Sequence, residues 1–280
     1  GLNDYVTVLL SRPLNIPYAY NLAPHLARKL LKQPGDVQRS TIDIDIQRVA
    51  IQNLRLYLSE LTERAVEDGA ILVLDNQSGE ILAWVGSSGK LSQSAHTDGV
   101  LSPRQAGSTL KPFLYGTAID RRWITAASVI NDTPLALPTT NGLYTPQNYD
   151  HRFHGWVTAR TAHGSSMNIP AVRLITLTTV PTFYDKLKAL GFHTLSQPAD
   201  FYGYSLALGS AEVTLFDLTN AYRALANGGV FSLPHAVFKP SPAPTKTRRV
   251  FSSGTAFIIS DILSDRNARI PGFGWENPLD

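Results

Sequence analysis

Ala70-Ile71-Leu72-Val73-Leu74-Asp75-Asn76-Gln77-Ser78-Gly79-Glu80-Ile81-Leu82-Ala83-Trp84-Val85 contains two apolar runs, Ala70 to Leu74 and Ile81 to Val85. The five residues between them, Asp75 to Gly79, tolerate turn backbone angles, so the stretch predicts a β-hairpin. Both runs are almost continuously apolar, which calls for cover on both faces of the strands, and helices on each side of a sheet supply it. The core is therefore expected to be layered, with helices packed against strands.

Upstream, Thr41 to Ile46 alternates Ile42, Ile44 and Ile46 with Asp43 and Asp45, a strand signature. Val49, Leu54, Tyr57, Leu58 and Leu61 then recur at helical spacing, predicting a helix that ends before Gly69. Residues 1 to about 40 hold Pro13, Pro17, Pro24 and Pro34, with only Leu22 to Leu31 able to support a short helix. They read as a linker or the edge of a preceding domain, and residues 41–280 as the main domain. Downstream, Phe183 to Leu190 forms a helix stopped by Gly191, and Thr214 opens a helix that ends at Gly228-Gly229. Ser232 to Thr245, with four prolines, reads as an irregular connection before a last helical pattern at Ala256, Ile259 and Leu263.

With 43% hydrophobic residues over 280 positions, the chain is neither disordered nor a coiled coil. Its 25 basic and 22 acidic side chains give a formal charge of +3 without a basic block beyond Arg248-Arg249, so nucleic acid is not an expected partner. The absence of cysteine excludes a disulfide scaffold, a zinc-thiolate site and a cysteine nucleophile. No apolar run approaches the roughly 18 to 20 residues that span a bilayer. The chain starts at Gly1 and is expected to derive from a longer protein, with any membrane anchor upstream.

Chemistry concentrates at Gly107-Ser108-Thr109-Leu110-Lys111-Pro112, which opens a segment to about Asp120 with Leu110, Phe113, Leu114 and Ala118 spaced as on a buried helix. Ser108 falls in its first turn, and Lys111, three residues on, projects from the same face. A serine hydroxyl becomes a useful nucleophile when a base takes its proton, and a lysine becomes that base when burial or nearby positive charge lowers its pKa. The alternative for the pair is a cap serine beside a solvated lysine. Ser87-Ser88-Gly89-Lys90 has the same spacing but lies in a Ser/Gly-rich stretch without helical pattern. A second element, Ser166-Met167-Asn168, precedes a short helix carrying Val172 and Ile175. Ser166 can relay a proton there, and Asn168 either offers its amide to the lysine and a substrate carbonyl or caps the helix.

These elements match the Ser-x-x-Lys and Ser-x-Asn signature of penicillin-binding proteins and class A β-lactamases. Arg104-Gln105-Ala106-Gly107-Ser108-Thr109-Leu110-Lys111-Pro112-Phe113 resembles the nucleophile segment of class A penicillin-binding proteins, the alanine at 106 resembling their 1C branch. Tyr144-Thr145-Pro146-Gln147-Asn148-Tyr149-Asp150, Ser166 to Val172, Leu206-Ala207-Leu208-Gly209, and Asn220 to Gly229 resemble the same family. The resemblance runs from about Thr41 to the end. It implies an α+β fold of the β-lactamase/D,D-transpeptidase type, with an antiparallel sheet packed between helices.

It also implies that Ser108 attacks the D-alanyl-D-alanine carbonyl of a peptidoglycan stem peptide, that Lys111 is the base, Ser166 the proton relay and Asn168 the substrate anchor. β-Lactam antibiotics would be trapped on Ser108. The implied setting is the periplasmic face of a bacterial inner membrane, in a bifunctional protein whose glycosyltransferase lay before Gly1. A D,D-carboxypeptidase, a β-lactamase-like hydrolase and a non-turnover β-lactam-binding or scaffold domain share the same signature.

The family's third element, Lys-Thr-Gly, does not occur in these residues, and Lys246-Thr247-Arg248 places a large side chain where the glycine is needed. The sequence is thus expected to stop just before that motif, with an incomplete sheet and little acylation by residues 1–280 alone. No cofactor is implied. Asp150, His151 and His154 together with His163 suggest a metal set by spacing, but the family needs no metal, and capping or solvated histidines are expected.

Overall fold

The computed structural model describes residues 21–139, 142–239 and 246–277. The expectations for residues 1–20 and for 240–245 of the proline-rich connection lie outside them. In chain order the elements are α1 (Pro24–Leu30), α2 (Ile44–Glu60), β1 (Ile71–Leu74), β2 (Ile81–Val85), β3 (Arg104–Gln105), α3 (Lys111–Asp120), β4 (Val129–Asp132), β5 (Leu137–Thr139), β6 (Gly142–Tyr144), β7 (Gly155–Thr158), α4 (Ala159–Gly164) and α5 (Asn168–Thr178). There follow α6 (Val180–Ala189), α7 (Ala199–Tyr202), β8 (Glu212–Val213), α8 (Leu215–Ala226), β9 (Val230–Ser232), β10 (Thr247–Arg249), α9 (Ser253–Ser264) and α10 (Arg266–Phe273). Among the described residues the strands pair two by two, antiparallel in β1–β2, β3–β8, β4–β7 and β5–β6, so the chain is α+β with small antiparallel sheets. Two compact units result. Of the described residues, one holds 21–103, 214–223, 232–239 and 246–247, and the other holds 104–139, 142–213, 224–231 and 248–277.

The first unit is built on the predicted hairpin. Ile71, Leu72 and Val73 pair with Val85, Trp84 and Ala83, and then Leu74 pairs with Ile81. The extra residue, Leu82, makes a bulge that brings Ile81 to the face of Trp84. In the turn, the Asp75 carboxylate accepts the Ser78 N–H at 2.6 Å, and Gly79 takes φ +78°. Leu72, Ile81 and Trp84 pack with Leu26 and Val100 under Leu215 and Phe216. On the opposite face Ile71, Val73, Ala83 and Val85 meet Ile46, Ala50 and Leu54 of α2. The two-sided cover expected from the unbroken apolar runs is present.

The strand expected at Thr41 to Ile46 does not form. Asp43 instead caps α2, its carboxylate accepting the N–H groups of Asp45 at 2.9 Å and Ile46 at 3.0 Å. The alternation of isoleucines arose because Ile42 ends the approach to the helix while Ile46 sits on its buried side and Ile44 on its exposed side. Gln47, fully buried, accepts the Trp84 N–H at 2.7 Å and donates to the Trp84 carbonyl at 3.0 Å, which pins α2 to β2.

The second unit centres on α3, buried from Lys111 through Ile119. Such a helix is apolar all round because other elements cover every side. Phe113 meets Phe192 edge-on at 5.9 Å, and Gly116 leaves room for Phe251. β4 and β7 pair from Val129 with Thr158 to Asp132 with Gly155, and between β4 and residue 148 the chain makes the β5–β6 ribbon. The helices expected at 183–190, after Thr214 and around Ala256 are present as α6, α8 and α9.

Candidate active site

Ser108 lies in a 3₁₀ turn, Gly107–Leu110, that runs directly into α3. The Lys111 N–H bonds to the Ser108 carbonyl, and residues three apart in such a turn lie on one side of it. Two backbone bonds hold the turn from outside: Gly107 N–H to the Gly209 carbonyl at 3.0 Å and Ala106 N–H to the Ala211 carbonyl at 3.1 Å. Both glycines have positive φ, and any Cβ on Gly209 would overlap the Gly107 backbone. The Leu206 to Gly209 block is therefore the brace of the serine turn.

Lys111 is 1% exposed and forms no ion pair among the described residues. Its Nζ donates to the Ser166 carbonyl, to Ser166 Oγ at 3.3 Å and to Asn168 Oδ1 at 2.8 Å. Burial pushes its pKa down to about 7, because the charged ammonium gives up water without gaining a carboxylate. Ser166 adopts φ +55°, an unusual conformation for a serine, fixed by its own N–H to His163 and by Met167 N–H to Ala162. That turn aims both its carbonyl and its hydroxyl at Lys111.

Three of the four candidate residues, Lys111, Ser166 and Asn168, thus meet at one amine. Ser108 is exposed and its hydroxyl forms no hydrogen bond among the described residues. Asn168 turns its oxygen to Lys111 and its nitrogen to the Gln147 carbonyl at 2.9 Å, leaving one N–H of the amide for another acceptor.

Sequence reasoning passed over the residues that hold this arrangement. Asn148, quoted only as part of a resembling block, accepts the Asn168 and Ile169 N–H groups at 2.9 and 3.2 Å. Asp132, fully buried, accepts from Asn148 Nδ2 and from His154. No spacing rule reaches across the intervening ribbon to join Asp132 to Asn148. Near Lys111, His163 is buried and stacked on Tyr115 at 4.6 Å, and among the described residues neither ring nitrogen nor the Tyr115 hydroxyl has a hydrogen-bond partner. Burial, seconded by the nearby Lys111, depresses His163 to about 3. This histidine is neither solvated nor capping, in contrast to the sequence expectation.

The remaining strings serve structural ends. In Ser87-Ser88-Gly89-Lys90, Ser87 Oγ donates to Asp68 at 3.0 Å, and Lys90 is exposed. Thr247 and Arg248 lie in β10, where the Arg248 side chain donates to the Ala189 carbonyl at 2.8 Å and covers Phe231. His151 bonds to Gln147, and His154 bridges Asp132 and Asp150 at 2.8 and 3.4 Å. Among the described residues there is no group of three or more such side chains that could hold a metal ion, and no helix long and apolar enough to cross a membrane.

The family model of the penicillin-binding protein transpeptidase domain matches residues 69–271. Penicillin-binding protein 1C of Escherichia coli (strain K12) is 33% identical over 253 residues, which cover 89% of this chain and 32% of that protein. Penicillin-binding protein 1A of Neisseria meningitidis serogroup A is 34% identical over 174 residues, 61% of this chain and 21% of that protein. The chain thus spans about a third or less of the curated relatives it matches. Among solved structures, penicillin-binding protein 1A from Haemophilus influenzae superposes with a TM-score of 0.62 at 25% identity, covering 76% of this chain and 36% of that one. The transpeptidase domain of Burkholderia pseudomallei penicillin-binding protein 3 gives 0.68 at 20% identity, covering 88% and 73%, a likeness of fold.

Proposed function

Because the chain belongs to the penicillin-binding protein transpeptidase family, we propose that it carries the acyl-transfer site of a peptidoglycan D,D-transpeptidase. The observation that supports this reading best is the buried Lys111, lowered to about 7 and held by Ser166 and Asn168 without a carboxylate. An amine in that state is half free base near neutral pH and can accept a proton.

In the proposed reaction Ser108 Oγ gives its proton to Lys111 as it bonds to the carbonyl carbon of the penultimate D-alanine. The carbon–nitrogen bond to the terminal D-alanine then breaks, and the proton passes through Ser166 to the departing amine. The amine of a neighbouring stem peptide attacks the acyl-enzyme, its lost proton returns to Ser108, and the serine ester breaks as the new amide forms. The contact between Ser108 and Lys111 has to be made when substrate binds, as catalytic hydrogen bonds often tighten only in the complex. The free N–H of Asn168 would take the substrate amide. β-Lactams would stop at the acyl-enzyme. The domain would act at the periplasmic face of the bacterial inner membrane, within a larger envelope protein.

The 280 residues contain no Lys-Thr-Gly, whose strand would supply an oxyanion donor, and loss of one such donor costs about a hundredfold or more. Slow acylation is therefore expected of this polypeptide alone. The test is prolonged incubation with benzylpenicillin followed by peptide mass spectrometry. An adduct on the peptide containing Ser108, absent in Ser108→Ala, supports the reading, and an adduct on Ser87 or none at all overturns it. Labelling complete within seconds would refute the expectation of slowness.

A further inference from the structure

Asp132 ends β4 with its carboxylate fully buried, and that carboxylate contacts no residue assigned a chemical step above. Its oxygens accept from Asn148 Nδ2 at 2.8 and 2.9 Å, from the His154 N–H at 2.9 Å and, at 2.8 Å, from His154 Nδ1. An ionised carboxylate only accepts, so the nitrogen of the Asn148 amide has to face it. The same nitrogen also donates to the Arg152 carbonyl at 2.8 Å. The Asn148 oxygen is thereby turned the other way, toward the first N–H groups of α5.

Those N–H groups need an acceptor, because the first turn of a helix leaves its donors free and Met167, at the cap position, supplies no side-chain bond. Asn148 Oδ1 takes the N–H of Asn168 and of Ile169. Its neighbour Gln147 takes the Asn168 side-chain nitrogen through its carbonyl, which leaves the Asn168 oxygen for Lys111. Backbone and side chain of Asn168 are thus both set by residues 147 and 148, and residue 148 is oriented by Asp132.

We propose that Asp132 is a positioning residue for the Lys111–Asn168 pair, acting through the amide of Asn148. The proposal deepens the transpeptidase reading and rests on it for its consequence in catalysis, though the arrangement of Lys111 is measurable without it. Asp132→Asn keeps the shape but removes the pure acceptor, so the Asn148 amide is held only by the Arg152 carbonyl on its nitrogen side and its orientation weakens. Misplacement of a catalytic group on the scale of one ångström costs roughly ten- to a hundredfold in rate. Adding Asn148→Asp to Asp132→Asn restores a donor–acceptor pair between positions 132 and 148 and an acceptor facing α5, but gives up the bond to the Arg152 carbonyl.

The experiment has two readouts on the same proteins. One is the second-order rate of benzylpenicillin acylation, and the other is the titration midpoint of Lys111 followed by NMR of lysine labelled at Cε, against Lys111→Arg for assignment. The titratable side chains near this path are Asp150, His154, His163 and Tyr115, and all are left in place. The expected result is an acylation rate lower by roughly tenfold or more in Asp132→Asn, a shifted Lys111 midpoint, and partial recovery of both in the double variant. If Asp132→Asn does not fold, Asn148→Ala tests the same link with the same two readouts.

Lowered thermal stability with unchanged acylation and Lys111 midpoint would show a structural role only and overturn the proposal. If the parent chain gains no adduct on Ser108 while the Lys111 midpoint still moves and recovers, the transpeptidase reading fails and the positioning role stands.

Discussion

At the scale of the residue, Lys111 turns a solvation penalty into reactivity. With its pKa near 7, the fraction of free amine rises through neutrality, so the acylation rate should climb to half its plateau at about pH 7 and level off about one to two units above. Lys111→Ala should lose the limb and lower the rate by about a hundredfold or more, read from the time course of the benzylpenicillin adduct by mass spectrometry. His163 makes a second case. Its two ring nitrogens, buried and unpartnered among the described residues, should make His163→Leu more stable by about 1 kcal/mol, the cost of an unsatisfied polar group less the lost stacking on Tyr115. Urea denaturation at pH 7 checks this, and a loss of stability would indicate that those nitrogens are satisfied in solution. The Ser108–Lys111 spacing places both residues on one side of a turn, but it does not bring Ser108 Oγ into a hydrogen bond among the described residues. Asp132 and Asn148 could not be joined by spacing, since the ribbon that separates them in sequence closes only in three dimensions.

Elements were legible where local pattern and tertiary cover agree. The hairpin at 71–85 shows unbroken apolar runs because helices do lie on both its faces. Thr41 to Ile46 misled because the same alternation suits a capped helix start, and the cap, Asp43, decides between the two by supplying an acceptor to free N–H groups. Asp43→Ala should therefore destabilise the protein by about 1 kcal/mol, while Asp43→Ser should be nearly neutral, both by urea titration. The brace at Gly209 predicts a larger effect. Gly209→Ala adds a Cβ where the Gly107 backbone stands, at φ +74°, so the turn carrying Ser108 must move. Its acylation should fall by roughly a hundredfold even in variants that stay folded by circular dichroism.

For the molecule as a whole, titration supplies the test. His163 lies at about 3 in the folded chain against an ordinary 6.5, so between those values the unfolded chain binds a proton that the folded one refuses. Its contribution is intact above pH 6.5 and is lost as pH falls toward 3, with a slope of up to about 1.4 kcal/mol per pH unit. Asp75 and Asp265, lowered first by the backbone N–H groups of Ser78 and Ala268, add a loss that sets in as pH falls into the usual carboxylate range and continues below it. Urea midpoints measured from pH 7 to 3 should thus fall in two stages, and His163→Leu should remove the first. The two compact units were the least legible feature at this scale. Residues 214–223 and 232–239 belong to the first unit although more than a hundred residues of the second precede them, a grouping set by contacts distant in sequence.

The pairing of Asp132 with Asn148 also fastens the two ends of the β5–β6 excursion. Chain added at the far end of a segment whose base is already tied costs little entropy, since closure grows only with the logarithm of length. That ribbon is consequently a natural port for grafting: foreign peptides could be displayed there with the geometry around Lys111 undisturbed.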